Sequence, residues 1–440
     1  MLPIIGKKVK TITAKAGSDT KWHRLDNTAT VFPVISNRTF SSVYRISVRL
    51  KKDVDPEVLQ KALDVTIPWF DSFLVRMHHG FFWYYFESNR KRPVVTEEKT
   101  SPCGYIDPVS NSHFLFRVIY YKKRISLEVF HALSDGTVAI NFLKELTLCY
   151  LRLVNMPGKK ATQINIPVVD VTADSEDSYL KNYKKSEKSP LFSEKSFQIK
   201  GEKLPLYSTG VIHGYLKVDE LLAHCRERGV TISQYLSAAL IWSIYQGNMN
   251  RQPSKYPVKL FVPVNLRPFF DSTSTMNFFS SVSIGYLFSE KEPTFEDVLR
   301  EVCLQFKNQM SKDLFIQKIA GNVRMGQNII LRFLPLFIKN FALKIGYLLS
   351  YESHTTTLSN LGSISVPEKY TEYIDSFSVL INVANKEPFK CGVCSFANKL
   401  DVTFTSRHQD AYIQRAFFRL LSSEGLDVSI ESNGVYYENL

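Results

Sequence analysis

The sequence predicts an α/β protein of two units, each a mixed sheet with helices, and three observations carry this. The chain has 440 residues, more than one ordinary core of roughly 100–200 residues holds. Strand-like and helix-like patterns alternate along it twice, with no short repeat. Between the two runs lies a polar stretch, 161–204, of Lys-rich and acidic segments that reads as a linker or crossover with one short helix around Tyr179. The expected organisation is therefore an N-terminal half at 1–160 and a C-terminal half at 205–440.

In the first half, Tyr44–Leu50 alternates apolar and polar residues and predicts a strand. Asp55 can cap a helix that Pro56 opens, and Val58, Leu59, Ala62 and Leu63 share its face. Phe73–Met77 and Phe81–Phe86 flank His78-His79-Gly80, which predicts a hairpin. The adjacent histidines read as turn residues, because no carboxylate or third histidine stands at ligand spacing. A second hairpin, His113–Tyr121 with Ile125–Phe130, runs straight into His131. From Gly136 to Leu153 the positions Val138, Ile140, Phe142, Leu143, Leu146 and Tyr150 predict a mostly buried helix.

The second half repeats the mixture. Val211–Val218 predicts a strand, and Asp219 caps a helix that ends at Gly229. Thr231 starts an apolar helix over Ile232–Tyr245. Lys259–Val264 and Ser281–Phe288 predict strands, and Thr294-Phe-Glu-Asp297 has the form of a capping box before a long helix. Strands follow at Thr355–Leu361, Ser376–Val383 and Val402–Thr405, then a helix at Ala411–Leu421.

Composition narrows the function classes. The 31 Phe and 22 Tyr call for large cores or an apolar channel for substrate. A net charge of +13 suggests an anionic partner, but the basic residues are scattered and no nucleic-acid recognition motif accompanies them. A phosphorylated co-substrate needs only a local cluster. Six cysteines are sparse; Cys391 and Cys394 form one C-x-x-C without a second pair, so a buried strand in a reducing compartment is expected rather than zinc. The N-terminus lacks the apolar stretch of a signal peptide, and no run reaches the length of a membrane span. The nearest approach, Asn328–Ser350, is interrupted by Arg332, Lys339 and Lys344 and reads as one or two amphipathic helices. A buried helix pair is the first expectation there; a membrane-surface patch is the alternative.

The chemistry points to His131-Ala-Leu-Ser-Asp135-Gly136. A histidine at the end of a core strand is held rigidly, and an imidazole with a free pKa near 6.5 accepts a proton at neutral pH. By itself His-x-x-x-Asp-Gly arises by chance in roughly one chain of this length in thirty. With its context it resembles the active-site motif of the coenzyme A-dependent acyltransferase superfamily, which includes chloramphenicol acetyltransferase, plant BAHD enzymes, condensation domains and alcohol acetyltransferases. Phe73-Leu-Val-Arg76-Met resembles an early strand of that superfamily. Val262-Pro-Val-Asn265-Leu-Arg267-Pro resembles the strand whose arginine supports the active-site aspartate, and Thr357-Leu-Ser359-Asn360-Leu-Gly362 resembles the strand lining the tunnel. Phe130 stands where many relatives have a first histidine, and Glu387-Pro-Phe-Lys-Cys-Gly392 stands where the plant enzymes carry Asp-Phe-Gly-Trp-Gly. The likeness is therefore to the alcohol acetyltransferase and condensation-like branch.

The resemblance implies two chloramphenicol-acetyltransferase-like halves with a tunnel between them. It makes His131 the general base, Asp135 a structural residue paired to Arg267, with Arg76 the second candidate partner, and Gly136 the small residue of the loop. Asn265 stands beside Arg267 in the supporting strand, and Ser359 or Asn360 is the candidate oxyanion donor. A coenzyme A thioester, acetyl-CoA or another acyl-CoA, is the implied co-substrate, with an alcohol or amine acceptor and no metal. A carrier-bound thioester is the alternative donor, and a non-catalytic tunnel-binding descendant is the alternative class. A cytoplasmic monomer is expected, with surface membrane contact open.

Overall fold

The computed structural model describes residues 22–26, 28–155, 177–184, 194–289, 292–327, 333–384 and 386–435. The first half holds β1 (Trp22–Arg24), α1 (Val31–Ile35), β2 (Val43–Leu50), α2 (Pro56–Thr66), β3 (Val75–His79) and β4 (Tyr84–Ser88). It continues with β5 (Thr96–Glu97), β6 (Phe116–Tyr121), β7 (Arg124–Phe130) and α3 (Gly136–Asn155). A short α4 (Ser178–Lys181) precedes β8 (Gly210–Lys217), α5 (Val218–Glu227), α6 (Ile232–Gly247), β9 (Val258–Asn265), α7 (Arg267–Phe270) and β10 (Phe279–Tyr286). Three helices follow, α8 (Phe295–Gln309), α9 (Lys312–Gln327) and α10 (Leu336–Ser350). The chain ends through β11 (Thr356–Ile364), β12 (Ile374–Leu380), β13 (Phe389–Phe396), β14 (Lys399–Ser406), α11 (Tyr412–Ser423) and β15 (Ser429–Ser432).

Capping sets several of these boundaries. Asp55 accepts from the N–H groups of Glu57 and Val58, and Pro56 opens α2. Reciprocal capping boxes start α6 at Thr231 and Gln234 and α8 at Thr294 and Asp297. One cap differs from expectation: α5 begins at Val218 after β8 without a side-chain cap, and Asp219 lies inside its first turn.

Among the described residues the strands form three sheets. One is five-stranded in the order β12-β2-β7-β6-β5, one is seven-stranded in the order β10-β9-β11-β13-β14-β8-β15, and β1-β4-β3 form a small ribbon. The seven-stranded sheet is mixed because β11 runs parallel to both β9 and β13. The two large sheets are not segregated by sequence: β12, from late in the chain, pairs antiparallel with β2, with Phe377 opposite Val48.

Each large sheet has its own apolar core. In the first, Phe142, Leu143 and Leu146 of α3 are fully buried, and Phe142 stacks on Phe73 with ring centroids 4.8 Å apart. In the second, α6 is buried on nearly every side, from Tyr235 to Tyr245, as expected of a helix apolar all round. Cys391 and Cys394 lie within the buried strand β13.

Three local expectations are corrected. His78 and His79 belong to β3, and the turn falls later, where the Gly80 N–H donates to the Trp83 carbonyl. The polar crossover contributes to the core: Tyr179 of α4 is buried in the second cluster, while 156–176 and 185–193 lie outside the described residues. The buried helix pair expected at 328–350 does not form over α10, whose Phe337 and Phe341 are exposed; 328–332 lie outside the described residues. No helix among the described residues is long and apolar enough to cross a membrane.

Candidate active site

His131 follows directly on β7, and its backbone N–H donates to the Ser42 carbonyl at 3.0 Å. Its ring is fixed by aromatic neighbours. Phe32 of α1 stacks on it at 4.5 Å and 12°, Tyr44 of β2 meets it edge-on at 5.0 Å, and Phe279 of β10 lies tilted at 5.7 Å. Tyr44 is itself fixed, its hydroxyl donating to the Ser134 carbonyl at 3.1 Å. The half-buried ring keeps Nδ1 out of contact with solvent. Burial lowers the imidazole pKa below its ordinary value, because desolvation outweighs the nearby Asp135 carboxylate, which favours the protonated ring. Lys390 on β13 adds to the lowering. The ring is thus held neutral at pH 7, the state a general base requires.

Asp135 ties this loop to the other half of the chain. Its Oδ1 accepts from the Thr137 and Val138 N–H groups at 3.1 and 3.3 Å, at the start of α3. Its Oδ2 accepts from Arg267 Nη1 at 2.8 Å and from the Phe278 N–H at 3.0 Å. Arg267 is occupied on every side, with Nε donating to the Ser274 carbonyl at 3.0 Å and Nη2 to the Met276 carbonyl at 2.8 Å. Asn265 Oδ1 accepts from the Arg267 N–H at 3.1 Å and so shapes the turn that aims the guanidinium. The pair is nearly closed to solvent, with side-chain exposures of 11% and 7%. Both charges are therefore paired within the protein.

Gly136 is small for a packing reason. A Cβ there would stand 2.9 Å from Leu361 Cδ2 on β11, so the end of the Leu361 side chain would have to shift. Ser359 lies two residues before Leu361, opposite Gly392 of β13. Asn360 is engaged elsewhere: its Nδ2 donates to Ser233 Oγ at 3.0 Å and its Oδ1 accepts from the Gly362 N–H at 2.8 Å. Gly362 has φ +73, a left-handed conformation that favours glycine.

Arg76 does not reach Asp135. It faces Glu87 across the β3–β4 register, its Nε donating to Glu87 Oε2 at 2.7 Å, and His78 Nε2 meets the same oxygen at 2.8 Å. A cross-strand carboxylate nearer than Asp135 decides the pairing.

Several neighbours of the site were not singled out from the sequence. Asn277 is buried and donates from Nδ2 to Asp26 Oδ2 at 3.0 Å, and its side chain also favours the protonated form of His131. Asp26 lies fully buried, and desolvation raises its pKa to about 7. Tyr179 of the crossover donates to the Phe279 carbonyl at 2.6 Å and accepts from the Phe279 N–H at 3.1 Å. Beyond Lys390, a polar cluster is built from its 2.5 Å contact with Glu387 and the 2.7 Å hydrogen bond that the Tyr347 hydroxyl donates to Glu387. The one sequence signal for the Asn277 and Phe278 contacts is their place at the entry to β10.

No protein-family model matches the sequence, and no curated protein matches it in sequence. Solved structures do match. The trichothecene 15-O-acetyltransferase TRI3 of Fusarium sporotrichioides superposes with a TM-score of 0.59 at 13% identity, over 93% of this chain and 96% of that one. Polyketide synthase associated protein 5 of Mycobacterium tuberculosis gives 0.57 at 14% identity, over 91% and 97%. The starter condensation domain of rhizomide synthetase gives 0.51 at 13% identity, over 93% and 97%. The chain therefore has the chloramphenicol-acetyltransferase-like fold, built as two mixed α/β units.

Proposed function

We propose that this protein is an acyl-CoA-dependent O-acyltransferase that moves an acyl group, acetyl in the simplest case, from a coenzyme A thioester to an alcohol hydroxyl. The reading rests on one observation above the others: an imidazole caged by three rings, next to a buried Asp135–Arg267 clasp that joins the two halves. With Nδ1 sealed away, Nε2 is the nitrogen left for the substrate. It takes the hydroxyl proton as the oxygen attacks the thioester carbonyl. The C–O bond forms, the C–S bond breaks, and the proton passes from Nε2 to the leaving thiolate.

In this reading His131 is the catalytic residue, and Asp135, Gly136, Asn265 and Arg267 position it. Ser359 is the proposed oxyanion donor, since the Asn360 amide is committed to Ser233. The N-terminal half supplies the base and the C-terminal half supplies Arg267 and Ser359, with the substrates meeting in a tunnel between them. Part of the +13 charge would hold the coenzyme A phosphates, so binding should weaken as salt rises. A monomer working in the cytoplasm completes the proposal.

The condensation-like reading is favoured by the fit to a condensation domain; there the donor is a carrier-bound thioester or the acceptor an amine. Thiol release from acetyl-CoA, followed over a panel of alcohols and amines with mass detection of product, decides between them. Ester formation supports the proposal. Amide formation, or turnover with a carrier-bound donor alone, moves the protein to the second reading. Stabilisation by coenzyme A without turnover of any donor marks a non-catalytic binder.

A further inference from the structure

Helix α10 carries an apolar stripe that nothing among the described residues covers. Phe333, just before it, is 74% exposed, Phe337 is 70%, Phe341 is 68%, Ile345 is 42% and Leu348 is 37%. Within the helix, spacings of four, four and three residues from Phe337 to Leu348 place these side chains on one face. The β3–β4 turn lies alongside and is fastened to the helix. The Leu336 N–H donates to the Phe81 carbonyl, Lys339 Nζ to the Phe82 carbonyl, and Asn340 Nδ2 to the Tyr84 hydroxyl, each at 2.8 Å. That turn exposes Phe81 at 68% and Trp83 at 42%. Seven large apolar side chains from two fastened segments thus form one surface, whereas exposed apolar residues on soluble proteins are ordinarily scattered.

The charge around the patch identifies its partner. Helix α10 itself carries Lys339 and Lys344 and no Asp or Glu. The one carboxylate of the hairpin, Glu87, is paired to Arg76 and His78, and Arg24 lies over the Trp83 ring at 4.9 Å. A second copy docked through the same face would bring like charges together. An anionic bilayer satisfies both features, since rings enter the headgroup boundary while lysines meet the lipid phosphates.

We propose that α10 and the β3–β4 turn form a docking surface for an anionic membrane. Phe337, Phe341, Phe81 and Trp83 insert at the interface, and Lys344 supplies part of the electrostatic attraction. The opposite face of the helix holds Tyr347, which reaches Glu387 and through it Lys390. Docking therefore sets a wall of the candidate site against the bilayer.

Flotation of the full chain with vesicles tests this without any assay of catalysis. The protein should float with vesicles of equal parts phosphatidylcholine and phosphatidylglycerol, and at least tenfold less with phosphatidylcholine alone. The double variant Phe337→Ser with Phe341→Ser should abolish flotation while leaving the melting temperature unchanged, because both rings already face solvent. Lys344→Glu should weaken it about five- to thirtyfold. Failure of the wild type to float on anionic vesicles overturns the proposal, as does flotation of the double variant equal to wild type. Concentration-dependent self-association that the double variant removes, without vesicle binding, assigns the face to a second copy instead.

Discussion

Helices α3 and α10 are both rich in apolar residues, over 20 and 15 residues, and end in opposite surroundings. In α3, Phe142, Leu143 and Leu146 have no exposed surface, because the five-stranded sheet and the Phe70–Phe73 turn close over them. In α10, Phe337 and Phe341 project from the protein. The difference lies in what the neighbouring chain brings to each helix. The first turn of α3 is anchored by Asp135 to Arg267 and Phe278. Helix α10 is fastened by hydrogen bonds to the tip of a small ribbon, by packing on α1 and by the Tyr347–Glu387 hydrogen bond. An apolar helical period establishes that a face wants covering; it does not say whether protein or something else covers it.

The comparison can be broken most severely at the anchor of α3. Arg267→Ala leaves the Asp135 carboxylate buried without its charge partner, and should cost about 3–5 kcal/mol of unfolding free energy, measured by urea denaturation. A loss within about 0.5 kcal/mol would mean the clasp is not structural. Next in size is the contrast between helices. Leu146→Ala in α3 should cost about 2–5 kcal/mol, while Phe341→Ser in α10 should change stability by less than about 0.5 kcal/mol. Equal losses would show that α10 packs against protein in solution. Gly136→Ala should cost about 1 kcal/mol or less, since only the end of the Leu361 side chain has to move.

Two smaller predictions concern pH. The base must be neutral, and burial lowers the His131 pKa. The acid limb of kcat/KM should therefore fall at a pH below the 6.5 of a free imidazole; a limb above 6.5 would mean the ring is charged in the free enzyme. Asp26 has the opposite sign. Its folded pKa of about 7 lies above its ordinary 3.8, so its contribution to stability is full below 3.8 and is lost as pH rises through about 7. Between pH 5 and 8 wild type should lose more stability than Asp26→Asn, by melting temperature. Parallel curves would place the Asp26 carboxylate in an ordinary environment.

What the sequence disclosed was mostly local. Asp55 and Pro56, and the Thr231 and Thr294 boxes, act within one helical turn, so their residues are legible in order. The clasp of Asp135 on Arg267 spans the chain and was legible only through resemblance at both ends. Arg76 was misplaced because β-sheet register, which sets Glu87 opposite it, cannot be read from one strand. The cage around His131 was missed for a related reason: Phe32, Tyr44 and Phe279 come from separate elements, and nothing in an isolated phenylalanine says which ring it will meet. Tyr179 likewise acquires its role only when the crossover folds against β10, and Asn277 only when Asp26 of the first half meets it.

The central claim is that His131 is the base of an acyl transfer. The direct measurement is thiol release from acetyl-CoA with an accepted alcohol, comparing wild type with His131→Ala after circular dichroism has shown both to be folded. The variant should turn over about 10²–10⁴-fold more slowly, with coenzyme A affinity little changed. Equal rates in the two proteins would contradict it and remove His131 from the chemistry.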